Sequence, residues 1–269
     1  MQLAYTINLV LHALAGLAAL VALPVPLIAR KGGSVHRKAG WVFVAAMVAV
    51  AVTGMGIALS WATVPLQVKP PSGTPSPEAV ERMVRTYRAF ALFFAAVAVM
   101  SAAAVWHGIS ALRLKGAQPG SWARPADHLA YGATVVVGVP LLWQGLSMQQ
   151  PLFIAFGALA LFGGLGDARF VLRSAHEPRA WLIRHLQSML GGATAALTAF
   201  SAFTLRRYFG AEQGFAIAAW IVPVVLGMGA SILWTRRYQA RKPATGLGAR
   251  VSQARSGGLE PEHREQATA

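Results

Sequence analysis

The chain has 269 residues, 55% of them hydrophobic and only 12% charged, with a mean hydropathy of +0.50. Soluble domains are about 25% charged, so this composition excludes a soluble enzyme or a disordered chain and predicts a multi-span membrane protein. Twenty-four Lys and Arg against nine Asp and Glu give a net charge of +15. The basic residues fall between apolar runs, where they meet lipid headgroups and set topology, and no nucleic-acid motif accompanies them. Cysteine is absent, which excludes disulfides, thiolate chemistry and Cys-ligated metals.

Spanning the hydrocarbon takes about 20 apolar residues. Seven runs qualify, near 5–29, 41–63, 89–112, 128–148, 151–171, 186–205 and 214–235. They are continuous rather than alternating, so each reads as a helix, and the fold class is an all-α integral membrane bundle of seven helices. The first run lacks a basic n-region and is too long for a signal-peptide core, so it reads as a retained span. Gly32, Gly33 and Ser34 close the first loop. Pro70 to Pro77 is an extended segment, and Ser76–Pro77–Glu78 is a helix start leading directly into span three. Gly116 to Pro125 forms the third loop, Pro151 separates spans four and five, and Glu177–Pro178 opens span six. Pro24, Pro26, Pro140 and Pro223 are candidate kinks. Residues 1–239 form the helical domain; residues 240–269 read as a basic, disordered tail.

Eighteen Lys and Arg lie on loops one, three and five and in the tail, against six on the opposite side. The excess places those loops and the C-terminus in the cytoplasm and the N-terminus outside; Arg206–Arg207 is the dissonant pair. A faint repeat runs through the chain. His36 in HRKAG, His128 in HLAYG and His185 in HLQSMLG each follow a basic loop, which predicts three helical hairpins plus a seventh helix.

Polar residues inside a membrane are costly and are site hypotheses by default. His36, His107, His128, Asp167 and His185 share the inner-leaflet depth, with Arg37, Arg169 and Arg184 beside them. His12 lies in the outer half, on one face with Asn8 and Gly16. The bland alternative makes the interfacial groups headgroup anchors, Asp167 half of a structural ion pair, and His107 a helix-to-helix hydrogen bond. The sharper readings are a metal, a haem clamped by two imidazoles, or an anion held by Arg and His at helix starts. No HxxxH or HExxH pair occurs, and positive helix starts disfavour a dication, so no metal site is assigned. Haem remains open for His107 with His128 or His185, with Met55, Met189 or Met228 as a second ligand. Gln187, Gly191, Thr194, Thr198 and Ser201 recur at spacings of three and four on span six, as a packing seam or a pore lining. No nucleophile motif, phosphate loop or dinucleotide fingerprint is present, and GGLG at 163–166 lies within an apolar run.

The stretch LHALAGLAALVALPVPLIARKGGSVHRKAGWVFVAAM, with His12, Gly16, Lys31–Gly32, His36–Arg37 and Gly40, resembles the opening of a family of predicted bacterial multi-pass membrane proteins, domain of unknown function 2306. GLGDARFVLR followed by WLIRHLQSMLGGATAALTAF is similar to its closing part, at Asp167, Arg169, His185, Met189, Gly191 and Thr198–Ala199–Phe200. The resemblance covers about residues 8–205 and is weaker over spans three and four. It implies a bacterial cytoplasmic-membrane protein and favours His12, His36, Asp167 and His185 over His107. The leading expectation is a membrane protein that binds or moves a small molecule or lipid through the inner-leaflet His/Arg/Asp cluster. The alternative is a haem-binding redox protein acting with quinone. The expected partners are membrane lipid and a small-molecule ligand, with no nucleic acid; any cofactor and the catalytic residues are unknown.

Overall fold

A computed structural model describes residues 2–115, 122–177, 179–209 and 213–240. Every regular element among them is helical: α1 (Gln2–Ala22), α2 (Pro24–Ile28), α3 (Ser34–Thr63), α4 (Pro65–Val68), α5 (Pro77–Ser110) with a 3-10 turn (Ala111–Leu114), α6 (Pro125–Ser147), α7 (Pro151–Val171), α8 (Ala180–Phe209) and α9 (Gln213–Ala240). The tail beyond Ala240 and most of the third loop, with Pro178, lie outside the described residues.

Among the described residues, six helical segments are long and apolar enough to cross a membrane: Gln2–Ile28, Ser34–Thr63, Pro77–Leu114, Pro125–Ser147, Pro151–Val171 and Ala218–Gln239. The run expected at 186–205 is helical in α8 but is not among these six. Its described part carries Gln187, Ser188, Thr194, Thr198 and Ser201, which dilute its apolar character. The outward surface is apolar, with Trp41, Val52, Leu129, Val136, Trp143, Phe162 and Leu233 all exposed, as lipid-facing helices require.

The breaks follow the residues. Leu23 separates α1 from α2, whose first turn holds Pro24 and Pro26, while Pro140 and Pro223 sit inside continuous helices. Ser76 caps α5, its Oγ accepting the Ala79 N–H at 3.3 Å, with Pro77 at the first helical position. At 34 residues α5 is roughly 50 Å long, well beyond a hydrocarbon core of about 30 Å. Its first turns, bearing Glu78, Glu81, Arg82, Arg85 and Arg88, therefore project past the apolar layer. α6 reverses into α7 over Met148–Gln150, with Gln149 at φ 51°.

α5 is the hub, packing on α3, α6, α8 and α7. One core joins Phe43, Val44 and Met47 of α3 to Ala19, Val105 and Ala193. A second stacks Phe93 on Phe153 and packs Ala89, Ala96 and Leu141 around them. The closest helix pair is α6 with α7, and its glycines explain why. A Cβ at Gly145 would stand 2.5 Å from Ile154 N, and one at Gly157 2.5 Å from Leu142 N. Only glycine lets the two backbones approach that far. The pairing differs from the three expected hairpins. α1 packs on α3 and α5 on α6, but α7 turns to α6 and α8 to α9, so among the described residues α7 and α8 do not pack along their length. The polar seam of α8 faces α9. Gln187 Nε2 donates to Thr235 Oγ1 at 3.4 Å, Thr194 fills the space over Gly227, and Ser201 Oγ donates to Ala219 O at 2.8 Å. It is a packing seam.

Candidate functional site

The cluster begins at the end of α5. Gly108 is glycine for a packing reason: a Cβ there would lie 2.6 Å from the Met189 methyl group of α8. Its carbonyl accepts the Nδ1–H of His185 at 2.7 Å, tying α8 to α5. His107, one residue earlier, is 2% exposed and turns toward α7, with Nε2 3.2 Å from Asp167 Oδ2. The pair is within ionic reach but lacks hydrogen-bond alignment, so Nε2 is buried without a hydrogen-bond partner. The other oxygen, Asp167 Oδ1, accepts from Arg184 Nη2. The Arg184 guanidinium lies 5.1 Å from the Phe170 ring centroid, and its Nε is buried without a partner.

His36 joins from α3. Its Nδ1–H donates to Pro26 O at 3.0 Å, and its ring lies 6.5 Å from that of His185, inclined at 63°. Because a carbonyl can only accept, both imidazoles carry hydrogen on Nδ1, and in the neutral form both Nε2 atoms hold a lone pair. Lys31 Nζ closes the same corner by donating to Pro26 O at 2.7 Å and Leu27 O at 2.6 Å.

The space left between α7 and α8 is an open groove of about 600 Å³. Arg169 and Phe170 of α7 line it, with Arg173, Glu177 and Arg179 of the connection, Arg184 and Gln187 of α8, and Gln239 of α9. Arg179 Nη1 donates to Tyr238 O at 3.0 Å. Among the described residues Arg169, Arg173 and Arg179 are in no ion pair, whereas Arg184 is spent partly on Asp167. The groove is therefore positive, and it opens beside the start of α8, whose dipole adds to the same sign. A smaller cavity of about 230 Å³ at the opposite end is neutral, with Gln2, Asn8, Ser60 and Gln67. Beside the groove, Trp122 and Phe170 enclose His176 at 5.6 and 4.5 Å between ring centroids, and burial with the nearby Arg173 holds its imidazole below the usual histidine range.

The structure thus brings together His36, His107, Asp167, Arg184 and His185, and sets Arg169 on the groove wall. Asp167 pairs with Arg184 of the neighbouring helix rather than with Arg169. His128 is exposed, with its Nδ1 3.1 Å from Tyr131 Oη, and Arg37 is exposed as well. His12 pairs within the α1–α3 packing, its Nδ1 3.0 Å from Thr53 Oγ1, while Asn8 Nδ2 donates to Thr53 O at 2.9 Å. Two features escaped the sequence reading. One is Asp127, which is 0% exposed and accepts from Arg113, from Trp106 Nε1 at 2.8 Å and from Arg124 N at 2.8 Å. Its signal was an acid at the third helical position after Arg124–Pro125. The other is the groove, which adds Arg173 and Arg179, in the sequence only part of the basic fifth loop, to the candidate residues Arg169 and Arg184. Among the described residues no three His, Asp or Glu converge in a way that could hold a metal ion.

No family model matches this chain, and neither a curated protein nor a solved structure matches it.

Proposed function

We propose that this chain is a seven-span bacterial inner-membrane protein that binds, and in doing so can carry, the phosphate group of a lipid or small solute in the α7–α8 groove. The observation that carries the reading is that groove: four arginines against one glutamate around about 600 Å³ at a helix start. Arginine forks suit phosphate oxygens, and the volume suits a headgroup or small metabolite. The 18-to-6 division of Lys and Arg supports a cytoplasmic groove and an outside N-terminus, with α8 as the seventh span. The sequence resemblance supports membership of the family of domain of unknown function 2306.

Two measurements on the micelle-purified chain test this. Native mass spectrometry reads retained anionic phospholipid, and calorimetric titration reads binding of inorganic phosphate. Lipid retention alone identifies a headgroup, and phosphate binding identifies a free solute. Combined Arg169→Ala, Arg173→Ala and Arg179→Ala substitution should lower whichever is seen by at least about tenfold. Unchanged binding in that variant would remove the groove from the reading.

One observation favours a second reading. The His36 and His185 rings lie 6.5 Å apart between centroids, inclined at 63°, each oriented by a backbone carbonyl as metal-ligating imidazoles are. Haem iron held between them would give a Soret band that shifts on reduction; a colourless protein expressed with haem supplied would sink this reading.

A further inference from the structure

The inference rests on the groove reading and concerns how occupancy of the groove is linked to a proton. Arg184 belongs to two assemblies at once. It lines the groove, and its Nη2 donates to Asp167 Oδ1. Asp167 offers its second oxygen to His107 Nε2 at 3.2 Å, deep inside the bundle, where that nitrogen makes no hydrogen bond. Arg184 Nε, likewise buried, makes none. The carboxylate therefore has one made partnership and one in waiting, and the guanidinium has a donor unused. Buried networks left half-satisfied are high in energy and can shift between partners.

We propose that an oxyanion entering the groove takes Arg184 as its partner, and that His107 takes up one proton to replace Arg184 beside Asp167. The charges balance. In the empty state a neutral imidazole, a carboxylate and a guanidinium sum to zero. When the anion shares the guanidinium charge, Asp167 is left in a low-dielectric site without full compensation. A proton from solvent added to the His107 ring places hydrogen on both nitrogens, and the Asp167 carboxylate, released by Arg184, turns to accept the Nε2–H with which Oδ2 is not aligned in the empty state. The imidazolium–carboxylate pair is again neutral. Loss of that proton returns Asp167 to Arg184 and weakens the hold on the anion, which is the elementary step of proton-coupled binding.

The surroundings of His107 support this assignment. From α6, Asp127 is already matched by Arg113 and by two N–H donors. From α8, His185 is held on Gly108 O. On α5 itself, Ser110 Oγ donates to the His107 carbonyl, not to the ring. Of Asp127 and Asp167, the two carboxylates near the His107 ring among the described residues, Asp167 is the one whose partnership can be exchanged.

By linkage, anion binding and protonation strengthen each other by the same factor. The experiment titrates the full chain, in phosphate-free maltoside micelles near neutral pH, with sulfate and separately with short-chain phosphatidylglycerol. Both probes keep their charge across this range, so any proton taken up belongs to the protein. Uptake is read in weak buffer with a pH indicator, and binding by calorimetry. Wild type should take up close to one proton for each anion bound and bind about tenfold more tightly when the pH is lowered through the neutral range. His107→Gln should still bind at alkaline pH but take up no proton. Asp167→Asn should bind without uptake and without pH dependence, which guards against misfolding of either variant alone. Binding in wild type without proton uptake overturns this proposal and leaves the groove reading standing. Uptake that persists in His107→Gln overturns the role of His107. No binding of either probe overturns both.

Discussion

Two carboxylates are embedded at the same end of the bundle, each paired with an arginine, and they are built differently. Asp127 is fully enclosed, and both its oxygens are taken up by Arg113, Trp106 and the Arg124 amide. Asp167 has one oxygen on Arg184, the other facing a histidine nitrogen without a hydrogen bond, and an open groove at its side. A saturated carboxylate fixes geometry, here the approach of α6 to the end of α5. An unsaturated one beside open space can exchange partners. Burial and charge alone do not separate the two; hydrogen-bond completeness and the neighbouring cavity do.

Removing the saturated anchor should have the largest effect. Asp127→Ala leaves Arg113 and the Trp106 N–H without their acceptor and should cost about 3 kcal/mol, the lower end for breaking a buried pair because Arg113 is partly exposed. Thermal unfolding in micelles would register it, and a melting temperature equal to wild type would abolish the contrast. Asp167→Asn should cost less, about 1–2 kcal/mol, since its site is only partly satisfied to begin with. At alkaline pH this variant should bind inorganic phosphate several-fold more tightly, because Arg184 is released to the groove; weaker binding would make Asp167 a mere scaffold. Arg173→Ala should leave stability within about 0.5 kcal/mol while weakening phosphate binding several-fold, and the reverse pattern would place Arg173 in the architecture.

The smallest effect concerns pH. His176 is held below its ordinary value of 6.5 in the fold. The unfolded chain therefore protonates first as the pH falls, so the contribution of His176 is complete above about 6.5 and is lost below it. His176→Gln should flatten a shallow decline in melting temperature on acidification; an unaltered decline would assign it to other groups.

Depth along each helix was legible from the chain, because rise per residue and the spacing of breakers set it. His36, His107, Asp167 and His185 do gather at one end, and Ser76–Pro77 does start α5. Azimuth was not legible. His128 has the same depth as His185, yet it points outward to Tyr131. Asp167 had Arg169 two residues away, but helical geometry turns those side chains apart and the partner comes from α8. The hairpin repeat misled for a related reason: among the described residues α7 and α8 meet at the Asp167–Arg184 pair but do not pack along their length, while the glycines at 138, 145, 157 and 164 draw α7 onto α6.

By itself the sequence determined an all-helical, lipid-facing chain, the places where its helices break, and the basic character of one set of connections, since these depend on local composition and on the length of apolar runs. Only the tertiary structure decided that Asp127 is closed and Asp167 open, and that a positive groove lies between α7 and α8. Those outcomes depend on which helix faces come into contact, and in an apolar medium that is settled by close packing at small residues rather than by hydrophobicity, which all the helices share.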